Sequence, residues 1–299
     1  MIFEDEGLLD KYVIKLGRHE SCVYLLNGEA GWAFIGGGMV HIIPEVLDLI
    51  DRYEFDERYI KRIIILHSHF DHCGIVPYIK KKWPWITVTA SARTKELLAK
   101  DKVIAGHESL NKMILEYYDC MDLYEKYDLE FKGIEVEEVV KDGDILQVGD
   151  LSLEILEVPG HSSCSIAAYC PERESLFASD SAGVIAGDGI FSAGNSNYDL
   201  YQKNLERMSS YKITYLLLEH FAALTHKEAE EYLPRSIAAA KDFRKKMENS
   251  LDKTRDVKTS TGELTEEIMK NAPENFLPEK LVKIVVGQML RFIEKSQKK

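Results

Sequence analysis

The stretch Ile63-Ile64-Ile65-Leu66-His67-Ser68-His69-Phe70-Asp71-His72 runs from an apolar segment into six residues that carry four side chains able to bind a metal. Neighbouring side chains on a strand point to opposite faces, so His67 and His69 can share one metal, and Asp71 and His72 a second, only if the chain turns after Leu66. The motif therefore belongs on a loop at the end of a buried strand. Its spacing suits a centre with two metals.

Three more candidates repeat that placement. His161 ends the run Leu151 to Pro159, Asp180 follows Leu176-Phe177-Ala178-Ser179, and His220 follows Tyr215-Leu216-Leu217-Leu218-Glu219. Strand ends laid side by side form a rim, so side chains far apart in sequence can converge on one sheet edge. His19, His41, His107 and His226 read as surface or satisfied core residues. His226, one short loop beyond His220, is the alternative last ligand.

With 45% apolar and 10% aromatic residues over 299 positions, the composition is that of a globular enzyme. No apolar run approaches the roughly 18 residues of a membrane helix, and the acidic start Met1-Ile2-Phe3-Glu4-Asp5-Glu6 is unlike a secretory leader, so a cytoplasmic protein with no membrane contact is expected. The five cysteines (Cys22, Cys73, Cys120, Cys164 and Cys170) lack metal-finger spacing and read as reduced thiols. A net charge of -12 argues against a nucleic-acid partner, which would call for a basic face.

Short strands are expected at Tyr12–Leu16, Cys22–Leu26 and Trp32–Ile35, then a helix over Pro44–Tyr53, a strand at Arg62–Leu66, a helix at Val76–Lys82 and a strand at Ile86–Thr89. Residues 94–131 read as a helical insertion bearing Tyr117, Tyr118, Tyr124 and Tyr127, with strands resuming at Ile134. A helix at Asp199–Ser209 precedes the His220 strand. Beyond His226 the pattern is helical: Lys227–Leu233, Pro234–Ser250, a break at Thr259–Gly262, Thr265–Asn271 and Pro278–Lys295. The chain thus divides into a metal-bearing part, 1–226, and a helical part, 227–299, whose apolar stripe Leu281, Val285, Met289 and Phe292 packs on the core or lies as a lid over a pocket.

The HSHFDH run with Gly74, followed by Pro159-Gly160-His161-Ser162, Ala178-Ser179-Asp180 and Glu219-His220, resembles the metallo-β-lactamase superfamily of metal-dependent hydrolases. The resemblance implies an α/β fold, an αββα four-layer sandwich, here with a C-terminal helical extension. It implies two divalent transition-metal ions, zinc or iron with manganese also suited. His67, His69 and His161 would hold the first, Asp71, His72 and His220 the second, and Asp180 would bridge them. Gly31-Trp32-Ala33-Phe34, Phe70 to Tyr78, Ala90 to Thr94 and the tail Asn275-Phe276-Leu277-Pro278-Glu279 are similar to the quinolone-signal-response thioesterases of that superfamily. Two departures stand out. Many members carry an acidic residue where this chain has Gly36, so a supporting carboxylate is missing there, and the last ligand commonly follows a glycine, where this chain has Glu219.

The implied chemistry is hydrolysis of an acyl thioester or ester by a hydroxide held between two metals, with Asp71 as the catalytic carboxylate that orients it. The implied partner is a small-molecule substrate, an acyl-coenzyme A thioester, with a protein partner or homo-oligomer left open; its acyl group is expected to lie in a pocket lined by the tail around Phe276-Leu277, the Met289 helix and the tyrosines of 117–127. Two other readings stand beside it: a phosphodiesterase acting on a small nucleotide or phosphoester, and a regulatory or binding protein on a hydrolase scaffold.

Overall fold

Along the strand Ile60–Ile65, Ile63 and Ile65 enter one apolar core, while Ile64, and Leu66 just beyond, enter another. The same alternation runs through Cys22–Gly28, where Val23 and Leu25 face the first core and Cys22, Tyr24 and Leu26 the second. A period of two with both faces apolar requires a sheet covered on both sides. The computed structural model, which describes residues 1–272 and 276–298, shows that sheet and a second one packed against it. Asn275 lies outside the described residues.

The first sheet has seven strands in the order Gly7–Leu8, Val13–Gly17, Cys22–Gly28, Gly31–Ile35, Ile60–Ile65, Thr87–Ser91 and Glu138–Val140. The second has seven in the order Ile2–Phe3, Ala223–Thr225, Tyr215–Leu217, Ser175–Phe177, Ile166–Cys170, Leu151–Glu157 and Ile145–Val148. Tyr24, Ile35 and Ile64 from one sheet meet Ile155, Ile166 and Phe177 from the other in a shared core. Helices Ile43–Arg52 and Val76–Lys82 cover the outer face of the first sheet, and Tyr198–Met208 and Lys227–Thr254 that of the second. The result is the four-layer αββα sandwich expected from the sequence, with C-terminal helices.

Strand direction creates the rim. Ser175–Phe177 and Tyr215–Leu217 are parallel, and Leu151–Glu157 reaches the same direction through two antiparallel steps across Ile166–Cys170. The residues after Glu157, Phe177 and Leu217 therefore leave the second sheet at one edge. The end of Ile60–Ile65 meets that edge, where Ile166 N donates to Leu66 O at 2.8 Å and Cys22 N donates to Glu219 O at 3.0 Å.

Several expected boundaries move. Strand pairing resumes at Glu138 rather than Ile134, because Ile134 and Val136 plug the first core while the Glu137 carboxylate accepts the Val88 N–H. Lys227–Thr254 is one helix running through Pro234, where the bond lost at the proline is set against burial of Leu233 on the second sheet and a hydrogen bond from Ser236 Oγ to Ala182 O. The break expected at Thr259–Gly262 lies instead at Arg255, whose φ of +54° ends that helix, and Asp256 caps Val257–Asn271 by accepting from Thr259 N. The insertion forms helices Ala92–Leu98, Asp101–Tyr117 and Asp122–Tyr127. The tail ends in the helix Glu279–Gln297, whose Val282, Val286, Met289 and Leu290 are fully buried with Phe191 and Phe221. Among the described residues no helix is long and apolar enough to cross a membrane.

Candidate active site

His67 and His69 follow the end of Ile60–Ile65, His69 in extended backbone, and a 3-10 turn, Phe70–His72, follows at once with Asp71 and His72. From the second sheet, Gly160 sets His161: its φ of +146° and its approach to Tyr201, whose backbone would lie 2.4 Å from any added Cβ, admit only glycine. Asp180 sits in the 3-10 turn Ser179–Ala182 and His220 just past Tyr215–Leu217.

The structure brings all seven side chains together. His67 Nε2 lies 3.2 Å from both His69 Nδ1 and His161 Nε2, and those two are 3.0 Å apart. In the neighbouring group His72 Nε2 is 3.0 Å from His220 Nε2, and Asp71 Oδ2 is 3.7 Å from each. Asp180 lies between the groups, its Oδ2 3.3 Å from His72 Nε2 and 3.4 Å from His161 Nε2, its Oδ1 3.7 Å from His220 Nε2. Donors held about 2.0–2.1 Å from a tetrahedral ion stand about 3.3 Å apart, so the spacing fits such an ion.

Bonds behind the rings aim them. His161 Nδ1 donates to Ala193 O and His220 Nδ1 to Glu20 O, each at 2.7 Å, which leaves both Nε2 lone pairs facing inward. Ser179 Oγ lies 3.4 Å from His67 Nδ1 and 3.3 Å from His72 Nδ1. Glu219 Oε2 is 3.0 Å from His72 Nδ1.

Burial, reinforced by the surrounding imidazoles, drives His67 well below the ordinary histidine range and lowers His69 to about 3; burial also lowers His161. At His72 burial pulls the same way, but the Asp180, Glu219 and Asp71 carboxylates prevail and raise it well above its ordinary value. Burial would raise Asp180, yet His72, His220 and His161 hold it well below the carboxylate range. Below pH about 6.5 the unfolded chain binds protons on His67, His69, His161 and the buried His107 that the folded chain refuses, whereas the stabilisation from His72 is already complete there and adds no further slope. Metal-free protein should therefore lose thermal stability as pH falls from about 6.5 toward 4.5, and a midpoint constant across that range in chelator-treated protein would contradict this balance.

The remaining histidines lie apart from the seven. His226 is carried away by the antiparallel return Ala223–Thr225 to the opposite end of the hairpin, where its ring meets Tyr215. His41 bonds Glu20 and stacks on Tyr118, and His19 packs edge-on against Phe221. His107 is a buried, partnered core residue, 3.8 Å from Cys73 Sγ and lowered by burial to about 4, and its ring also lies in the wall of the cavity beside the site. Ser179 and Glu219 escaped the sequence reading. Glu219 left a signal, the pairing of Gly36 with an acidic residue directly before His220.

The model of the metallo-beta-lactamase superfamily matches residues 17–220, a span that includes every one of the seven. The chain belongs to the metallo-beta-lactamase superfamily. It is 24% identical over 219 residues, 72% of this chain and 78% of the relative, to the metallo-beta-lactamase fold-containing protein ST1585 of Sulfurisphaera tokodaii. It is 26% identical to a hydroxyacylglutathione hydrolase of Prochlorococcus marinus, covering 62% of this chain and 61% of that protein. The chain thus spans less than two thirds of that relative. Among solved structures, the metallo-beta-lactamase family protein TTHA1429 of Thermus thermophilus superposes with a TM-score of 0.65 at 14% identity, over 95% of this chain and 93% of that one. The subclass B3 metallo-beta-lactamase BJP-1 of Bradyrhizobium japonicum gives 0.59 at 21% identity, over 83% and 94%.

In this superfamily member two adjoining cavities open onto the cluster. One, of about 240 Å³, touches Asp71, His161 and Asp180 and is otherwise mainly apolar, with Leu277, Leu281, Ile284 and Val285 of the tail facing Val184 and Phe191. The other, of about 600 Å³, is more open and polar, reaching from His69 and His161 to Arg291 and Lys295 of the last helix. Asn195 and Gln288 line both. Expectations for this wall change in detail. The insertion contributes Leu110 and His107 rather than its tyrosines, because Tyr118 stacks on His41 and Tyr127 packs against Tyr78. Met289 and Phe276 are buried among the tail helices, and neither lines the cavity.

Proposed function

We propose that the chain is a metal-dependent hydrolase of acyl thioesters that holds two divalent ions, one on His67, His69 and His161, the other on Asp71, His72 and His220, with Asp180 shared. The observation that carries this reading is the convergence of seven donors into two adjacent groups beside an apolar chamber. The all-nitrogen-and-oxygen donor set suits zinc, iron or manganese. When bound, two such ions supply a water acidic enough to ionise near neutral pH and positive charge for an oxyanion.

The chain's own residues divide the remaining work. Asp71, at the floor of the apolar chamber and only partly buried, is placed to orient the water and accept its proton. Leu277, Leu281, Ile284 and Val285 exclude solvent and take the acyl group. Asn195 and Gln288, at the junction of the cavities, suit amide groups of the carrier, and Arg291 and Lys295 suit its anionic end. A thiolate leaves without strong acid catalysis, and among the residues lining the two cavities no separate acid is placed for it: neutral His107 is occupied by Cys73 and the Ser68 backbone. The relative named for hydroxyacylglutathione, an acyl group on an anionic, amide-containing carrier, supports the same class.

The paired cations also suit a phosphoester, so one panel tests both. With zinc-, iron- or manganese-loaded protein, acyl-coenzyme A thioesters should turn over faster than bis(4-nitrophenyl) phosphate or cyclic dinucleotides. Turnover confined to the phosphodiesters would replace the thioesterase reading, and no turnover of either class would leave the regulatory one.

A further inference from the structure

We propose that Glu219 is a positioning residue that occupies the space vacated at Gly36 and fixes His72 from behind, an inference that rests on His72 being a metal ligand. Glu219 is 1% exposed, and its Oε2 approaches His72 Nδ1 to 3.0 Å on the side of the ring opposite Nε2. Among the described residues neither carboxylate oxygen makes an aligned hydrogen bond, to His72 or to any other group, so the approach to Nδ1 is a charge contact. A buried carboxylate whose one close polar contact is an imidazole is costly unless that ring carries positive charge. A cation on Nε2, or a proton there, supplies it, so the negative charge behind the ring strengthens the ring's hold on a cation in front.

The space for this carboxylate exists because residue 36 is glycine. A Cβ on Gly36 would fall 2.1 Å from Glu219 Oε1 and 2.7 Å from its Cδ, an overlap that any other residue would have to relieve by expelling the carboxylate. Gly36 and Glu219 are far apart in sequence yet share one volume. The two departures seen in the sequence are therefore coupled: glycine at 36 leaves the volume that the Glu219 carboxylate fills.

The geometry separates this role from direct ligation. His67, His72 and Glu219 do form a third group of close donor atoms, but Glu219 and Ser179 meet His72 at Nδ1, whereas Asp71, Asp180 and His220 meet it at Nε2. Glu219 thus faces the back of the cluster and is absent from the walls of both cavities.

The test is a zinc titration of full-length protein by calorimetry, with bound metal counted after dialysis. Wild type should take two ions. Glu219→Gln, which keeps the shape and removes the charge, should keep the first ion and weaken the second about 10–100-fold. Gly36→Ala should cause a similar weakening when Glu219 is present and no further weakening in a Glu219→Ala background, because the clash is with the carboxylate; its backbone strain appears in both backgrounds and is read separately by thermal unfolding. Unchanged second-ion affinity in Glu219→Gln, independent effects of Gly36→Ala and Glu219→Ala, or a third ion that Glu219→Gln abolishes would overturn the proposal. Wild type that binds no zinc, iron or manganese would instead overturn the metal-site reading beneath it.

Discussion

Replacing Asp71 with asparagine should cut kcat for thioester hydrolysis by about 10²- to 10⁴-fold while changing KM little. Asn keeps the shape and one oxygen donor of Asp71 but cannot accept a proton. The side chain stands 3.7 Å from both His72 Nε2 and His220 Nε2 and also faces the apolar chamber, so it can serve a bound ion and reacting water at once. Counting metal in the variant separates these duties. A fully loaded Asp71→Asn protein with wild-type kcat would remove the residue from the chemistry, whereas loss of the second ion would make it chiefly a ligand.

The second large effect concerns the tail. Leu281→Ala together with Val285→Ala removes five carbons from the chamber wall, and at about 0.8 kcal/mol per carbon, with about half of that surface facing an acyl chain, the loss is about 2 kcal/mol. That corresponds to about 30-fold in kcat/KM on octanoyl-coenzyme A. Acetyl-coenzyme A, too short to reach the same wall, should change by less than about threefold. Equal losses on both substrates would demote the tail to a cap on the fold. Substitution is a cleaner test than removing the tail, since Val282, Val286, Met289 and Leu290 fill a core with Phe191 and Phe221 that truncation would expose.

Much of the site's placement was legible because its signals are local. The run His67 to His72 straight after an apolar strand, and single donors ending three later runs, required only that parallel strands share an edge. The hydrophobic alternation through Cys22–Gly28 and Ile60–Ile65 likewise carries the two-sided burial of a sandwich. What the sequence concealed depends on tertiary partners. Pro234 reads as a boundary, and burial of its neighbours on the second sheet overrides it. Tyr124 reads like a pocket aromatic, but its hydroxyl bonds Glu108 within the insertion. Glu219 and Gly36 each look like a local irregularity, and only their overlap in space joins them.

Two of the donors hang on backbone that other side chains would rather avoid. Ser179, immediately before Asp180, has φ of +48°, and Phe221, immediately after His220, has φ of +66°. Left-handed conformations cost a non-glycine residue about 1–2 kcal/mol. Selection for thermal robustness alone would therefore draw both positions toward glycine. Each would surrender something in return: Ser179 its hydroxyl behind His67 and His72, Phe221 its stacking on Phe276, which joins the His220 loop to the tail. The costlier residues at these two positions amount to a trade in which the rim of the sandwich gives up stability to keep its donors in register with the helices above them.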